Sequence, residues 1–238
     1  AVYNMPPLTL SIGGLQGGYY RDLYYEISTN YANSFGLHSV SALALMNFQQ
    51  KNDGTEFPYY NQGVVGRFTY DYANKYLAEV NVGYTGSERF APTNRYGFFP
   101  SGAVGWVISE EDFFKNALPW FSKLKIRYSD GLVGSDKAAN RWLYISDYIK
   151  DSNGHIKEDK AANNRAQWEE ARKQDLGFDM GFLKNKIHLA VDLFQEHRTN
   201  MLLTPQSVPW LLGIQFKDLN LGEMKKHGLE VEAEFRNT

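Results

Sequence analysis

Between Lys75 and Gly86 the chain reads KYLAEVNVGYTG, and alternate residues belong to two different kinds of surface. Tyr76, Ala78, Val80, Val82 and Tyr84 fall on one side, Leu77, Glu79, Asn81, Gly83 and Thr85 on the other. A period of two specifies a β-strand. The first side is small and apolar in its middle with a tyrosine at each end, while the second carries a charge and an amide. The strand therefore has something apolar on one side and something wet on the other.

The same pattern returns along the chain. Leu23, Tyr25, Ile27, Thr29 and Tyr31 alternate with Tyr24, Glu26, Ser28 and Asn30; Val40 to Phe48 alternate with a mixed face; Phe68, Tyr70 and Tyr72 oppose Arg67, Thr69 and Asp71. Further on, Val104, Trp106 and Ile108 alternate with small residues, and Leu124, Ile126 and Tyr128 oppose Lys125, Arg127 and Ser129. Leu176 to Phe182 and Ile187 to Leu193 repeat the alternation, and Leu229, Val231, Ala233 and Phe235 oppose Glu230, Glu232 and Glu234. About ten strands with one polar face each are predicted, which makes the chain all-β and antiparallel.

Short and long connections take turns between these strands. The compositions of residues 32–36, 72–75 and 182–186 predict tight turns, whereas 51–62, 86–98, 132–166 and 204–222 are long. At the short end, SEEDFFKNALPWFSK (109–123) predicts a brief helix with Ser109 as N-cap, Asp112 as its capping-box partner and Pro119 as its stop. A second short helix is predicted over 164–173.

Alternating strands bury their apolar faces either against one another in a soluble sandwich or against lipid in a membrane barrel. Tyr76 to Tyr84 spans roughly 27 Å at about 3.3 Å per residue, and a tilt of about 40° brings its height near 20 Å, close to an outer-membrane apolar band with aromatic girdles. Sorting of short turns to one end and long loops to the other is also the plan of such barrels, the short turns lying on the periplasmic side. Three glutamates in register at 230, 232 and 234 repel one another unless water or cations screen them, and a water-filled lumen does so, as an ordinary solvated face also does.

Composition removes several other classes. The 238 residues are 43% hydrophobic and 22% charged, enough for a folded chain, and the formal charge of −2 gives no footprint for nucleic acid. Absence of cysteine removes disulfides and thiolate chemistry. No apolar run is long enough for a transmembrane helix, which says nothing against a transmembrane barrel, and the opening AVYNMPPLTL lacks the features of a signal peptide, so if the protein is exported its signal is expected outside this sequence. The sequence holds no HExxH, GxSxG or Walker A motif, and His38, His155, His188, His197 and His227 lie on separate segments. Around DSNG, Ile149 and Lys160 occupy places where a calcium loop needs carboxylates, so an Asn153-Gly154 turn is the simpler reading. No enzymatic chemistry, metal or cofactor is expected.

The segment NKYLAEVNVGYTGSERFAPTNRYGFFPSGAVGWVISEEDFF, Asn74 to Phe114, closely resembles the signature region of the SusC/RagA family of TonB-dependent outer-membrane transporters. YYEISTNYANSFGLHSVSALA, LKIRYSDGLVGS, DLGFDMGFLKNKIHLAVDLFQEHRTNML and NLGEMKKHGLEVEAEF support the resemblance in the same order along the chain. It implies a 22-stranded barrel with an N-terminal plug, of which residues 1–238 would be an internal part without the plug or the TonB-engaging segment. It further implies the cell outer membrane as location and TonB-dependent import of oligomeric nutrients, glycan or peptide. A SusD-like surface lipoprotein would act as lid, with energy relayed by TonB and ExbB/ExbD. From another class, a soluble or surface-anchored β-sandwich that binds glycans remains the alternative.

On the barrel reading, Tyr76, Ala78, Val80, Val82 and Tyr84 face lipid, and Arg67, Asp71, Glu79, Arg127, Glu230, Glu232 and Glu234 face the lumen. Tyr59, Tyr60, Trp142, Tyr144, Tyr148 and Trp210 lie in or beside the long segments and are the candidate ligand contacts, since sugar rings and peptide side chains stack on flat apolar faces. Packing within the loops, or against the lid protein, is the competing use of each.

Overall fold

The computed structural model describes residues 20–52, 58–118, 120–137, 140–184, 186–205 and 213–236. Its long strands are β1 (Arg21–Phe35), β2 (His38–Asn52), β3 (Tyr59–Tyr72), β4 (Tyr76–Ser87), β5 (Tyr96–Val107), β6 (Phe121–Ser135), β9 (Glu169–Phe182), β10 (Ile187–Leu203) and β12 (Leu219–Phe235). They form one nine-stranded antiparallel sheet in the order β1-β2-β3-β4-β5-β6-β9-β10-β12. Three short strands, β7 (Asp147–Lys150), β8 (Ile156–Ala161) and β11 (Gln215–Phe216), make a small separate sheet inside two of the long connections. The strands predicted from alternation are all present, and nearly all are longer than the alternation shows.

They lengthen mainly into the segments read as loops. β3 begins at Tyr59, β12 at Leu219, β6 runs on to Ser135, and residues 32–35, read as part of a turn, continue β1. The short helix predicted over 164–173 is absent: residues from Glu169 onward pair with β6, Glu169 opposite Ser135 and Arg172 opposite Leu132. Local composition there favours a helix, but two neighbouring ladders offer each backbone group a partner, and the tertiary pairing wins.

Connections alternate as expected. Tight turns join β1 to β2, β3 to β4 and β9 to β10, and a short helix joins β5 to β6; the long segments join the other ends. In the β3–β4 turn, Lys75 N–H donates to the Tyr72 carbonyl while Ala73 and Asn74 both hold φ of 56°. Two successive left-handed residues match the right-handed twist of the hairpin. The β5–β6 connection differs from its predicted cap. A 3₁₀ turn covers Ile108–Glu110, and the helix, α1, runs over Asp112–Ala117 with Glu111 at the N-cap position and no capping-box hydrogen bond. Glu111 spends its carboxylate elsewhere, on Lys75 Nζ (3.0 Å), Tyr76 Oη (2.8 Å) and Trp106 Nε1 (3.3 Å). Pro119 lies outside the described residues.

No second sheet lies on the nine-stranded one among the described residues, so the sandwich alternative lacks its other layer. The buried apolar cluster is small and sits at the long-segment end: Phe90, Leu143, Ala166, Trp168 and Leu202, with Phe99 packed against them. Ladder hydrogen bonds rather than a conventional core hold the sheet.

Gly36, at φ 62° in the β1–β2 turn, has no atom within 4 Å of where a Cβ would stand, so its replacement isolates backbone strain. Gly36→Val is expected to cost about 1–2 kcal/mol, while Gly36→Asn, which tolerates the left-handed region, stays close to the parent; the folded fraction of the full-length protein on a heat-modifiability gel reads both.

Candidate functional site

Register decides which side chains share a face, and here it agrees across all nine strands. The row through Tyr76 runs from Phe35 through His38, Tyr72, Tyr76, Trp106, Ile126, Phe178 and Val191 to Val231. Val80 pairs with Phe68 and Gly102, Ala78 with Tyr70 and Val104. Every apolar face predicted strand by strand therefore lies on the same side of the sheet. Among the described residues nothing covers it: Val80 is 53% exposed, Phe68 49% and Val104 58%. An uninterrupted apolar surface of this extent does not face water in a stable monomer.

Aromatic rows edge this surface. At the short-turn end His38, Tyr72, Tyr76 and Trp106 stand ring to ring across four strands, with centroids 4.9, 6.2 and 6.4 Å apart. Toward the long segments Tyr84 stacks on Tyr96 at 5.1 Å, and Tyr25, Phe48 and Tyr60 follow one another at 6.5 and 6.0 Å. Tyr76 and Tyr84, read as the two ends of one strand's apolar face, thus belong to opposite rows.

The surface also slides along the strands. On β12 the apolar run ends at Leu229, before His227; the row through Leu229 passes Leu193, Leu176, Tyr128, Val104, Ala78 and Tyr70 to Val40. On β2 the apolar face continues past Val40 through Ala42, Ala44 and Met46 to Phe48. The limit drifts by about one residue per strand, as it must for a level band on strands tilted by roughly 40°, spaced about 4.8 Å and rising about 3.3 Å per residue.

Arg67, Asp71, Glu79, Arg127, Glu230, Glu232 and Glu234 all stand on the opposite, polar face. Arg67 pairs with Glu79 at 2.8 Å, and Glu79 also accepts from Asn81 Nδ2 at 2.8 Å. Arg127 reaches Asp192 at 2.6 Å, Asp175 at 3.4 Å and Asp179 at 3.5 Å. A Cβ on Gly177 would lie 2.6 Å from both the Arg127 guanidinium and Asp192, so the glycine opens the space this hub occupies. Glu230 adjoins Asp192 in register, Glu232 lies opposite Ala190, and Glu234 is held by Arg236 at 2.7 Å. The three aspartates around Arg127 went unassigned in the sequence because they come from strands far along the chain; their only signal was their place on polar faces.

At the long-segment end the candidate aromatics separate. Arg141, with its side chain only 6% exposed, lies over the Tyr59 ring at 3.9 Å and the Trp142 ring at 4.6 Å, and pairs with Glu88 at 2.9 Å. Trp142 meets Tyr144 edge-on at 6.0 Å. These three aromatics form one cluster around a residue that the sequence reading passed over. Tyr60 is not part of it; its ring stands beside Phe48 in the aromatic row of the apolar face. Tyr148 projects from β7 and is 65% exposed, apart from the cluster. Trp210 lies outside the described residues. Burial pushes the Glu88 carboxyl above its usual range in spite of Arg141 beside it.

Other bonds tie the long segments together: Ser87 Oγ donates to Asp136 at 2.7 Å, Lys217 to Asp147 at 2.7 Å, Asn163 to the Asp218 carbonyl at 2.8 Å and Trp168 Nε1 to the Arg95 carbonyl at 3.2 Å. A polar cleft of about 390 Å³ opens beside Tyr59, lined among others by Lys51, Asn61, Glu88, Arg89 and Asp136. Among the described residues no group of three or more His, Asp or Glu is arranged to hold a metal ion. Stacking, hydrogen bonding and charge pairing are what this end of the molecule offers.

A family model described as TonB dependent receptor-like, beta-barrel, matches residues 3–237. TonB-dependent receptor P3 of Formosa agariphila is 28% identical over 97% of this chain and 27% of its own length. TonB-dependent receptor SusC of Bacteroides thetaiotaomicron is 31% identical over 69% of this chain and 17% of its own length. Among solved structures, the RagAB peptide transporter superposes with a TM-score of 0.76 at 19% identity, over 90% of this chain and 28% of that one. The siderophore receptor PirA of Pseudomonas aeruginosa gives 0.57 at 13% identity, over 89% of this chain and 39% of that one. The chain thus spans about a quarter of the first of these curated relatives, and less of SusC. With its uncovered apolar band, tilted register and sorted connections, it belongs to the TonB-dependent receptor β-barrel family.

Proposed function

We propose that residues 20–236 form part of the wall of a TonB-dependent importer of oligomeric nutrients in the outer membrane. The observation that carries the reading is the apolar face, continuous in register over nine strands and edged by aromatic rows at both ends. That face, with Tyr76, Ala78, Val80, Val82 and Tyr84, meets lipid. The face with Arg67, Asp71, Glu79, Arg127 and the three glutamates lines the lumen, where water and the rest of the protein screen its charges.

The long segments face the outside and form the mouth, and the short turns and α1 lie on the periplasmic side. A surface lipoprotein of the SusD kind covers the mouth, TonB supplies the energy, and the cargo is an oligosaccharide or an oligopeptide. Tyr144, Tyr148 and the polar cleft beside Tyr59 are the surfaces available to cargo or lid. Tyr59 and Trp142 have a lesser share, since Arg141 already occupies a face of each.

Three measurements test the reading. In the full-length protein Val80→Arg is expected to cost about 2–4 kcal/mol of membrane stability and to block assembly, while Asn81→Arg, one residue away on the lumen side, is tolerated; equal effects overturn the face assignment. Cells lacking the full-length protein should lose uptake of one oligomeric nutrient, and cells lacking TonB should show the same loss. Uptake indifferent to TonB, or a soluble species without a lipoprotein partner on purification, turns the reading toward a binding module instead.

Arg141 braces the mouth through its stack and its ion pair, and removing one member of a buried pair costs about 3–5 kcal/mol. Arg141→Ala is therefore expected to leave the barrel assembled but expose residues 136–168 to protease on intact cells. Because burial already raises the Glu88 carboxyl, acidification neutralises the charge left unpaired, and protection returns as the pH falls.

A further inference from the structure

The connection from β5 to β6 that carries α1 is the longest at the short-turn end, and apart from an ion pair between Lys75 and Glu111 at 3.0 Å its attachments are to aromatic side chains. Glu111, at its start, accepts hydrogen bonds from the Tyr76 hydroxyl and the Trp106 indole, both members of the aromatic row on the apolar face. Phe114, 7% exposed, packs edge-on against Phe121 at 5.7 Å, and Phe121 lies opposite Phe182 in register. Trp120 stacks on Phe182 at 5.9 Å and 14°, and its carbonyl accepts the Leu183 N–H. Phe182 shares the apolar face with Met180 and Phe178. The connection is thus folded under the lipid side of the wall rather than under the lumen.

Among the described residues, three large apolar side chains remain uncovered at this foot: Phe113 at 62% exposure, Trp120 at 52% and Leu183 at 57%. Singly they would need no explanation. Here Trp120 stacks on Phe182 of the apolar face and Leu183 follows it in the chain, and two polar tips of the aromatic row, those of Tyr76 and Trp106, meet the Glu111 carboxylate on the same connection. We infer that α1 and the β9–β10 turn form an interfacial foot, with Phe113, Trp120 and Leu183 resting in the headgroup and upper acyl region of the inner leaflet. Its partner is a phospholipid surface. Rings with an apolar body and a polar tip favour that depth, and a short amphipathic helix lies in the plane of such an interface. The foot fixes the height of the barrel wall at β5–β6, where the ladder is the shortest of the long pairings, from Ser101↔Gly131 to Val107↔Lys125. This rests on the membrane reading above.

The test is site-directed spin labelling of the full-length protein in phospholipid vesicles, with Phe113→Cys labelled, Val80→Cys as the lipid reference and Asn153→Cys as the aqueous one. The inference expects the label at 113 to collide with oxygen rather than with a water-soluble nickel chelate, several-fold more so than the label at 153. A label at 113 that behaves like 153 while 80 behaves as lipid overturns the foot and leaves the barrel standing. Labels at 113 and 80 that both behave as aqueous overturn the membrane reading itself. Trp120→Cys gives the same readout should the label at 113 prevent insertion.

Discussion

On the membrane reading proposed above, everything in this molecule depends on one constraint: backbone N–H and C=O groups beside hydrocarbon have no water to bond and must find each other. Long antiparallel ladders meet it, and their cost is that every strand must hold the same register as its neighbour, because a slip of one residue would turn a whole apolar face toward water. The rows from Phe35 to Val231 and from Val40 to Leu229 show the register held across the sheet. With the ladders fixed, alternation of side chains does the rest, and no buried core of the usual kind is needed within the wall.

The two ends of the sheet solve different problems. At the short end the chain reverses in two to four residues, as at Ala73-Asn74, or folds a helix against the foot of the wall through Glu111 and Phe114. At the long end the connections need a core of their own, and they build one from Phe90, Leu143, Trp168 and Leu202. Arg141 is the electrostatic counterpart of that core: its charge is balanced by Glu88 and its flat guanidinium fills the space between two aromatic rings. Planarity is what lets it stack and pair at once, and an ammonium on the same stem would keep only the pairing.

Much of the wall was legible strand by strand. The alternations at Tyr76–Tyr84, Leu176–Phe182 and Leu229–Phe235 placed side chains on the faces where the register puts them. The long segments were legible as long, but not their contents. The pattern at 164–173 looked helical because local propensity cannot see that Glu169 to Lys173 has a strand on either side. Ser109 looked like a helix cap because the spacing to Asp112 fits one, whereas the helix starts later and its N-cap carboxylate serves the neighbouring strands. Of the aromatics read as ligand contacts, Tyr60 stands in the row of the apolar face: at the end of a strand, one residue of register moves a ring from one side of the wall to the other.

By itself the sequence determined the strand count of the large sheet to within about one, the composition of each face and the alternation of short and long connections. These are local properties, set by a period of two and by turn chemistry, and they survive without knowledge of what lies alongside. Only the tertiary structure decided that the apolar faces join into one band that drifts across the strands, that Arg127 gathers three aspartates from β9 and β10, and that α1 folds against the apolar side. Each of these depends on which strands become neighbours and in what register, and pairing between residues tens of positions apart leaves no trace in the spacing of either partner.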